Sequence, residues 1–254
     1  MDEELKTKLS KFLAHTPLQY VPVKVRKGLA KGAKWTLLPL SQYWRGETEC
    51  EVEAAIKSWG DIKGATCWDL GAHFGIYTVG MALAVGWQGK VCAFEPDPIS
   101  YKRLARHVKM NYLKWVSVYN YAVSDTERVE RLMLLDGAGA TTSHFSNEDE
   151  TFDSTVPFVE AQTVVLDYAV ETKQIPAPDF IKVDVEGHGA KALKGAIKTV
   201  TGKLPPIVMS FHSTWELNGT RELLEPLGYN AFDAAGERLE WDACLYRTAI
   251  LRKA

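Results

Sequence analysis

Cysteine is scarce. Cys50, Cys67, Cys92 and Cys244 stand apart with no paired spacing, which argues against a zinc site or a disulfide framework and leaves reduced, mostly core thiols. An excess of one charge is also missing: 30 basic against 32 acidic residues give a net charge of -2, so the overall balance calls for neither nucleic acid nor an anionic membrane as partner. The longest apolar stretch, Ile76 to Trp87, holds two glycines and is too short to span a bilayer. The start, Met1-Asp2-Glu3-Glu4-Leu5-Lys6, is acidic and amphipathic rather than basic and then apolar, so no signal peptide is expected and a cytoplasmic location is the default. Internal repeats and low-complexity tracts are absent from the sequence.

What is there fits one large core with an extension. A chain of 254 residues can bury a substantial interior, and it divides into a helical N-terminal extension over 1–60 and a main domain over 61–254. Leu5, Leu9, Phe12 and Leu13 are spaced for one helix, and Val52, Ala55, Ile56 and Trp59 for a second over about 48–59. Lys24, Arg26, Lys27, Lys31 and Lys34 between them read as a solvated loop with no chemistry assigned. Beyond residue 60, strands alternate with helices. Strands are expected at 65–70, 90–94, 115–121, 180–185 and 207–211, with an extra edge strand at 129–135 and a closing pair at 229–233 and 244–251 joined through Gly236. Helices are expected at 77–85, from Tyr101 to Val108, through Leu193, Ala196, Ile197 and Val200, and around 222–227. Residues 136–160, rich in Gly, Ser, Thr, Asp and Glu, read as a long binding loop. The pattern implies an α/β fold: a doubly wound, mostly parallel sheet whose ligands sit at the carboxyl ends of its strands.

The most informative stretch is Trp68-Asp69-Leu70-Gly71-Ala72-His73-Phe74-Gly75-Ile76-Tyr77-Thr78, a strand end running into a glycine-bearing turn and an apolar helix. About twenty residues on, Val91-Cys92-Ala93-Phe94-Glu95-Pro96 ends a second strand in a carboxylate, placed to reach a ribose diol. Two nucleotide signatures are missing. Counting from Gly71, the second and third glycines of Gly-x-Gly-x-x-Gly are His73 and Ile76, which disfavours a dinucleotide, and no Gly-Lys-Ser or Gly-Lys-Thr follows a strand, which disfavours ATP. What stands is Asp-x-Gly-x-x-x-Gly. It bares backbone amides beside a carboxylate and suits a ligand with an ammonium group and no pyrophosphate, namely S-adenosylmethionine.

Four ordered motifs carry a family resemblance. Asp69-Leu70-Gly71-Ala72-His73-Phe74-Gly75, Ala93-Phe94-Glu95-Pro96, Ala122-Val123-Ser124-Asp125, and Phe180-Ile181-Lys182-Val183-Asp184-Val185-Glu186-Gly187 followed by Ala192-Leu193-Lys194-Gly195-Ala196 resemble the FkbM family of class I methyltransferases over about residues 42–232. The resemblance implies a seven-stranded Rossmann-like sheet of order 3-2-1-4-5-7-6, S-adenosylmethionine as methyl donor, and oxygen methylation of a sugar or natural-product hydroxyl. Two positions depart from the family: His73 stands where Asn is common, and Ser210 where many members have Glu, although His212 keeps the histidine that often follows.

On this basis the donor contacts are expected at Asp69, Gly71, Ala72, His73, Gly75, Thr78, Glu95, Pro96 and Asp184, with Ala122, Val123, Ser124 and Asp125 as the adenine edge. Asp184, Glu186, His188 and His212 are the candidate catalytic residues, because an alcohol must lose its proton as it attacks; His144 is a weaker candidate. Asp184, Glu186 and His212 could also bind a divalent ion, but the metal-dependent pattern is otherwise missing and no metal is assigned. Trp44 and Trp215 are expected near the acceptor, while Trp59, Trp68 and Trp115 belong to the core. The acceptor is expected to be a small molecule or a carbohydrate, bound between the 136–160 loop and the first 45 residues, with no membrane partner and the oligomeric state open. The rivals are a nitrogen or RNA methyltransferase, which a basic stripe beside the cleft would favour, and a catalytically silent cofactor-binding scaffold.

Overall fold

The computed structural model describes residues 21–37, 43–46, 50–134, 143–145 and 156–253; the helix expected over 1–15 lies outside them. An eight-stranded sheet forms the centre, from β3 (Thr66–Leu70), β4 (Lys90–Phe94), β5 (Val116–Tyr119), β10 (Phe180–Val183), β11 (Ile207–Ser210), β12 (Tyr229–Phe232), β13 (Arg238–Leu239) and β14 (Thr248–Lys253). Its order is β13-β12-β14-β11-β10-β3-β4-β5. Without β13 this is the expected 3-2-1-4-5-7-6. The five strands from β11 to β5 run parallel, and β14, β12 and β13 pair antiparallel. The eighth strand corrects the expected seven. Gly236, at φ +88°, turns the chain after Asp233 so that residues 238–239 fold back onto β12 rather than leading directly to the last strand.

Alternate residues of the buried strands feed opposite faces. Cys67 and Val91 meet α1 (Cys50–Lys57) and α2 (Ile76–Val85) on one side, with Val52, Ala55, Ile56, Val79 and Ala82. Trp68, Leu70, Ile181 and Ile207 meet Leu166, Leu193, Val200 and Leu217 on the other. Those four side chains come from α4 (Leu166–Glu171), α5 (Gly189–Lys194), α6 (Ile197–Lys203) and α7 (Thr214–Leu224). The single helix expected from Leu193 to Val200 is thus two, broken at Gly195, where an added Cβ would lie 2.0 Å from the Ser124 carbonyl oxygen; Ile197 is only partly buried.

The segment expected as a basic loop is a hairpin, β1 (Pro22–Lys24) against β2 (Lys34–Thr36). Trp35, which is buried, stacks on His107 with ring centroids 3.5 Å apart. His107 belongs to α3 (Pro98–Met110), a helix started by Asp97, whose carboxylate accepts from the Ile99 and Ser100 amides. Val25, Ala30, Ala33, Trp35, Val52, Ala55 and Ile56 pack into the core on this face of the main sheet.

A second sheet of order β6-β9-β7-β8 sits beside the first, from β6 (Ala122–Val123), β7 (Val129–Leu134), β8 (Ser143–Phe145) and β9 (Phe158–Val164). The strand expected as an edge, β7, lies inside this sheet, between β9 and β8. The long loop is correspondingly shorter than expected. Residues 143–145 and 158–160 are strand, and 135–142 and 146–155 lie outside the described residues.

Candidate active site

The order of the sheet reverses between β3 and β10, and the ends of those two strands with that of β4 open into a cavity of about 260 Å³. The turn after β3 forms its floor. The amides of Gly71 and Ala72 both donate to the Phe94 carbonyl oxygen, at 3.1 and 2.9 Å, and Gly71, at φ +77°, packs so close to β10 that an added Cβ would lie 1.8 Å from the Asp184 carbonyl oxygen. Only glycine fits there. His73 has φ +49°. Asn and His are both among the residues that tolerate the left-handed region, so the departure at this position keeps the backbone that the turn requires.

Glu95, 5% exposed at the end of β4, accepts from the His73 amide at 2.7 Å through one oxygen and from the Asp97 amide at 2.9 Å through the other. Burial pushes its carboxyl up to about 7, against the pull of those two amides. Gly71, Ala72, His73, Glu95, Pro96, Ala122, Val123, Asp184, Glu186 and His188 all line the cavity. Asp69, Gly75, Thr78, Ser124, Asp125 and His212 stand behind its wall. Asp69 is fully buried and accepts from the Thr78 hydroxyl, and a Cβ on Gly75 would meet Leu104. Ser124 turns its hydroxyl to His188 Nε2 at 3.1 Å, while Asp125 pairs with Lys194 at 2.8 Å.

The candidate catalytic residues divide. His212 presents Nε2 to Asp184 Oδ1 at 3.0 Å and Nδ1 to Glu186 Oε2 at 3.3 Å. Burial opposes a charge on this ring, but the hydrogen bond to Asp184 and the nearness of Glu186 outweigh it and lift the pKa to about 9. Asp184 is affected the other way: burial would raise it, yet Lys182 and His212 hold it below its ordinary value. A ring with both nitrogens committed as donors to carboxylates is an imidazolium near neutral pH, not a ready proton acceptor. His188 is buried, and burial lowers it to about 4, so it is neutral and tied to Ser124.

Asp184, Glu186 and His212 also form the one group among the described residues whose ligand atoms, within 4.8 Å of one another, could hold a metal ion; as arranged, the imidazolium fills that role of counter-charge. The backbone of His144 lies in β8 and its side chain lies outside the described residues. Trp44 packs beside the core under Arg26, and Trp215 is half exposed beside Lys191; neither lines the cavity.

Several lining residues were missed by the sequence analysis: Tyr43, Tyr77, Asp97, Tyr121, Leu132 and Lys182. Tyr43 comes from the N-terminal segment, and its hydroxyl lies 3.0 Å from His73 Nδ1. Lys182 had a visible signal, a charge in the middle of a strand otherwise patterned for full burial. Among the described residues, four carboxylates, Glu95, Asp97, Asp184 and Glu186, line the cavity against one lysine. That charge balance repels pyrophosphate and suits a ligand with a cationic end.

The family model of the methyltransferase FkbM domain matches residues 69–233. The chain belongs to the FkbM methyltransferase family. It is 28% identical over 199 residues to methyltransferase sdnD of Sordaria araneosa, covering 68% of this chain and 75% of that protein. It is 27% identical over 135 residues to the hexuronic acid methyltransferase AglP of Haloferax volcanii, covering 50% of this chain and 48% of that protein, so the match spans about half the length of that relative. The structure of an FkbM methyltransferase from Methylobacillus flagellatus overlays with a TM-score of 0.48 at 20% identity, over 74% of this chain and 43% of the other. The family match and the strand order make the chain a methyltransferase of the class I, Rossmann-like fold. Among the described residues, no helix is long and apolar enough to cross a membrane.

Proposed function

We propose that this FkbM-family methyltransferase uses S-adenosylmethionine to methylate a hydroxyl of a small-molecule or carbohydrate-like acceptor, and that it works in the cytoplasm. The observation that carries the proposal is the carboxylate-lined cavity at the switch point, with Glu95 closing the end of β4. Glu95 would hold the ribose diol, the Gly71–His73 turn would lie along the methionine part, and Asp184 would face the ammonium group. Ala122 and Val123, with neutral His188 beside them, would supply an apolar edge for adenine. The donor, when bound, supplies a methyl group on a positively charged sulfur, so the transfer needs an aligned nucleophile more than any further activation of the methyl.

The chain must then align the acceptor oxygen and accept its proton. Alignment in a closed cavity supplies most of the rate. For the proton, Glu186 is favoured over His212: it lines the cavity and its side chain is 31% exposed, whereas the His212 ring already carries two protons. In this scheme His212 fixes the Glu186 and Asp184 carboxylates, and His188 acts as an adenine neighbour rather than a base. The hexuronic acid named for the Haloferax relative supports a carbohydrate acceptor, as does the lining by Tyr43 and Tyr121, since aromatic rings pack on sugar faces.

The test is methyl transfer from radiolabelled donor to a panel of sugars, sugar acids, phenols and natural-product alcohols, with amines and transcribed RNA alongside. Label in a hydroxyl compound, lost in Glu186→Gln, is expected. Label only in the amine or RNA arm overturns the oxygen assignment, and donor binding with no transfer to any arm favours a silent scaffold.

A further inference from the structure

Lys182 is 2% exposed in the middle of β10, a parallel strand with neighbours on both sides. A lysine is seldom buried this deeply unless its charge is matched. Its Nζ donates to the Gly71 carbonyl oxygen at 2.8 Å and lies 3.3 Å from Asp69 Oδ1 and 3.6 Å from Asp184 Oδ2. The Tyr77 ring is 5.6 Å away. Lys182 stands opposite Asp69 in the register of β10 against β3. One cation thus ties together the end of β3, the turn that follows it, and the end of its own strand, the three segments between which the cavity opens.

We propose that Lys182 is a positioning residue of the donor site: it fixes the Gly71 turn against β10 and keeps the Asp184 carboxylate charged for the cationic end of the donor. The inference rests on the methyl-donor assignment. Asp184 is faced by Lys182 from β10, by Asp69 from β3, by His212 from the loop after β11, by Glu186 from the adjoining turn and by Glu216 from α7. Three of these are acids. Without Lys182, the one remaining cation near Asp184 among the described residues is His212, which is shared with Glu186, so Asp184 would take up a proton at higher pH. Donor binding would then have to expel that proton.

The test is calorimetric titration with S-adenosylmethionine of the wild type and Lys182→Met at pH 6, 7 and 8. The readout is the ratio of the two Kd values, in which the titration of the donor's own amine cancels; because Lys182 also pulls the Glu95 carboxyl down, the ratio is measured in the Glu95→Gln background as well. One proton released on binding changes affinity by up to about tenfold per pH unit, so the ratio of the Lys182→Met Kd to the wild-type Kd should rise as pH falls from 8 to 6, by up to about a hundredfold. A ratio that is the same at every pH, with both proteins binding, overturns the proposal and leaves Lys182 as packing. No heat from the wild-type chain overturns the donor assignment and, with it, the role given to Lys182. Should Lys182→Met fail to fold, Lys182→Met/Asp69→Asn, which removes the buried pair together, is compared with Asp69→Asn on the same readout.

Discussion

His212 Nε2 lies 3.0 Å from Asp184 Oδ1, and the other nitrogen of the ring faces Glu186, so a single imidazolium from the loop after β11 bridges the two carboxylates that follow β10. Its pKa is lifted from 6.5 to about 9. A base raised on folding contributes stability that is full below its unfolded pKa and lost as pH rises through the folded one. His212→Ala should therefore cost about 1.5–3 kcal/mol near pH 7, the range for hydrogen bonds to charged groups, and the cost should shrink between pH 7 and 9.5. Urea denaturation of both proteins across that range checks it; a cost that does not change with pH would contradict it.

Glu95 gives a second pH dependence, of the donor itself. Its folded pKa of about 7, against 4.5 when exposed, means that its contribution to stability is present below pH 4.5 and is lost as pH rises through 7. A diol bound to the carboxylate offsets that loss. The extra rise in Tm that S-adenosylmethionine gives at pH 8 relative to pH 6 should be larger in the wild type than in Glu95→Gln, where the titration of the donor's own amine remains, with affinity down by roughly tenfold or more.

The Gly71 turn gives a geometric prediction. Gly71→Ala puts a methyl group onto the Asp184 carbonyl oxygen in addition to the strain of a positive φ, whereas Gly60, at φ +76°, has nothing within 4 Å of an added Cβ. Gly60→Ala should cost about 1–2 kcal/mol from conformation alone, and Gly71→Ala about 1–3 kcal/mol more from overpacking. Equal costs by denaturation would mean that β3 and β10 are not so closely apposed.

The N-terminal hairpin hangs on His107, whose Nδ1 meets the Phe74 carbonyl oxygen at 2.8 Å and whose Nε2 meets the Thr36 hydroxyl at 2.7 Å. Burial lowers this histidine to about 4; its contribution is full above pH 6.5 and lost as pH falls through 4. Thr36→Val should cost only about 0.5–1.5 kcal/mol, the net worth of one hydrogen bond, because the Thr36 amide still donates to the same Nε2 at 3.2 Å, and hydrogen exchange at residues 34–36 should quicken as pH falls from 6.5 to 4, beyond the intrinsic pH effect. Unchanged protection would place the anchor elsewhere.

The parts of the fold legible in the sequence were those with strong apolar periods. β3, β4, β10 and β11 are buried on both faces and read as apolar runs, and the motifs at the ends of β3, β4 and β10 located the turns there. β9 was lost because its buried positions are Ala161 and Thr163, too small and mild to mark an alternation. β1 and β2 are three residues each and begin or end in lysine, so charge hid the hairpin. α4 has only six residues. Within the site, the sequence placed Glu95 and Asp184 well because chain order fixes strand ends, but it could not show that His212 is clamped between two acids. That fact depends on the spatial neighbours β10 and β11, and it is why Glu186 is proposed over His212 as the proton acceptor.

The central claim is that the cavity at the β3–β10 switch point is a methyl-donor site. Its most direct test is calorimetric titration of the wild-type chain and of Glu95→Ala with S-adenosylmethionine at pH 8, each first shown to be folded by circular dichroism. Saturable binding at one site per chain, weakened by about tenfold or more in Glu95→Ala, is the predicted result. No heat from the folded wild type, or equal affinity in the two proteins, would contradict it.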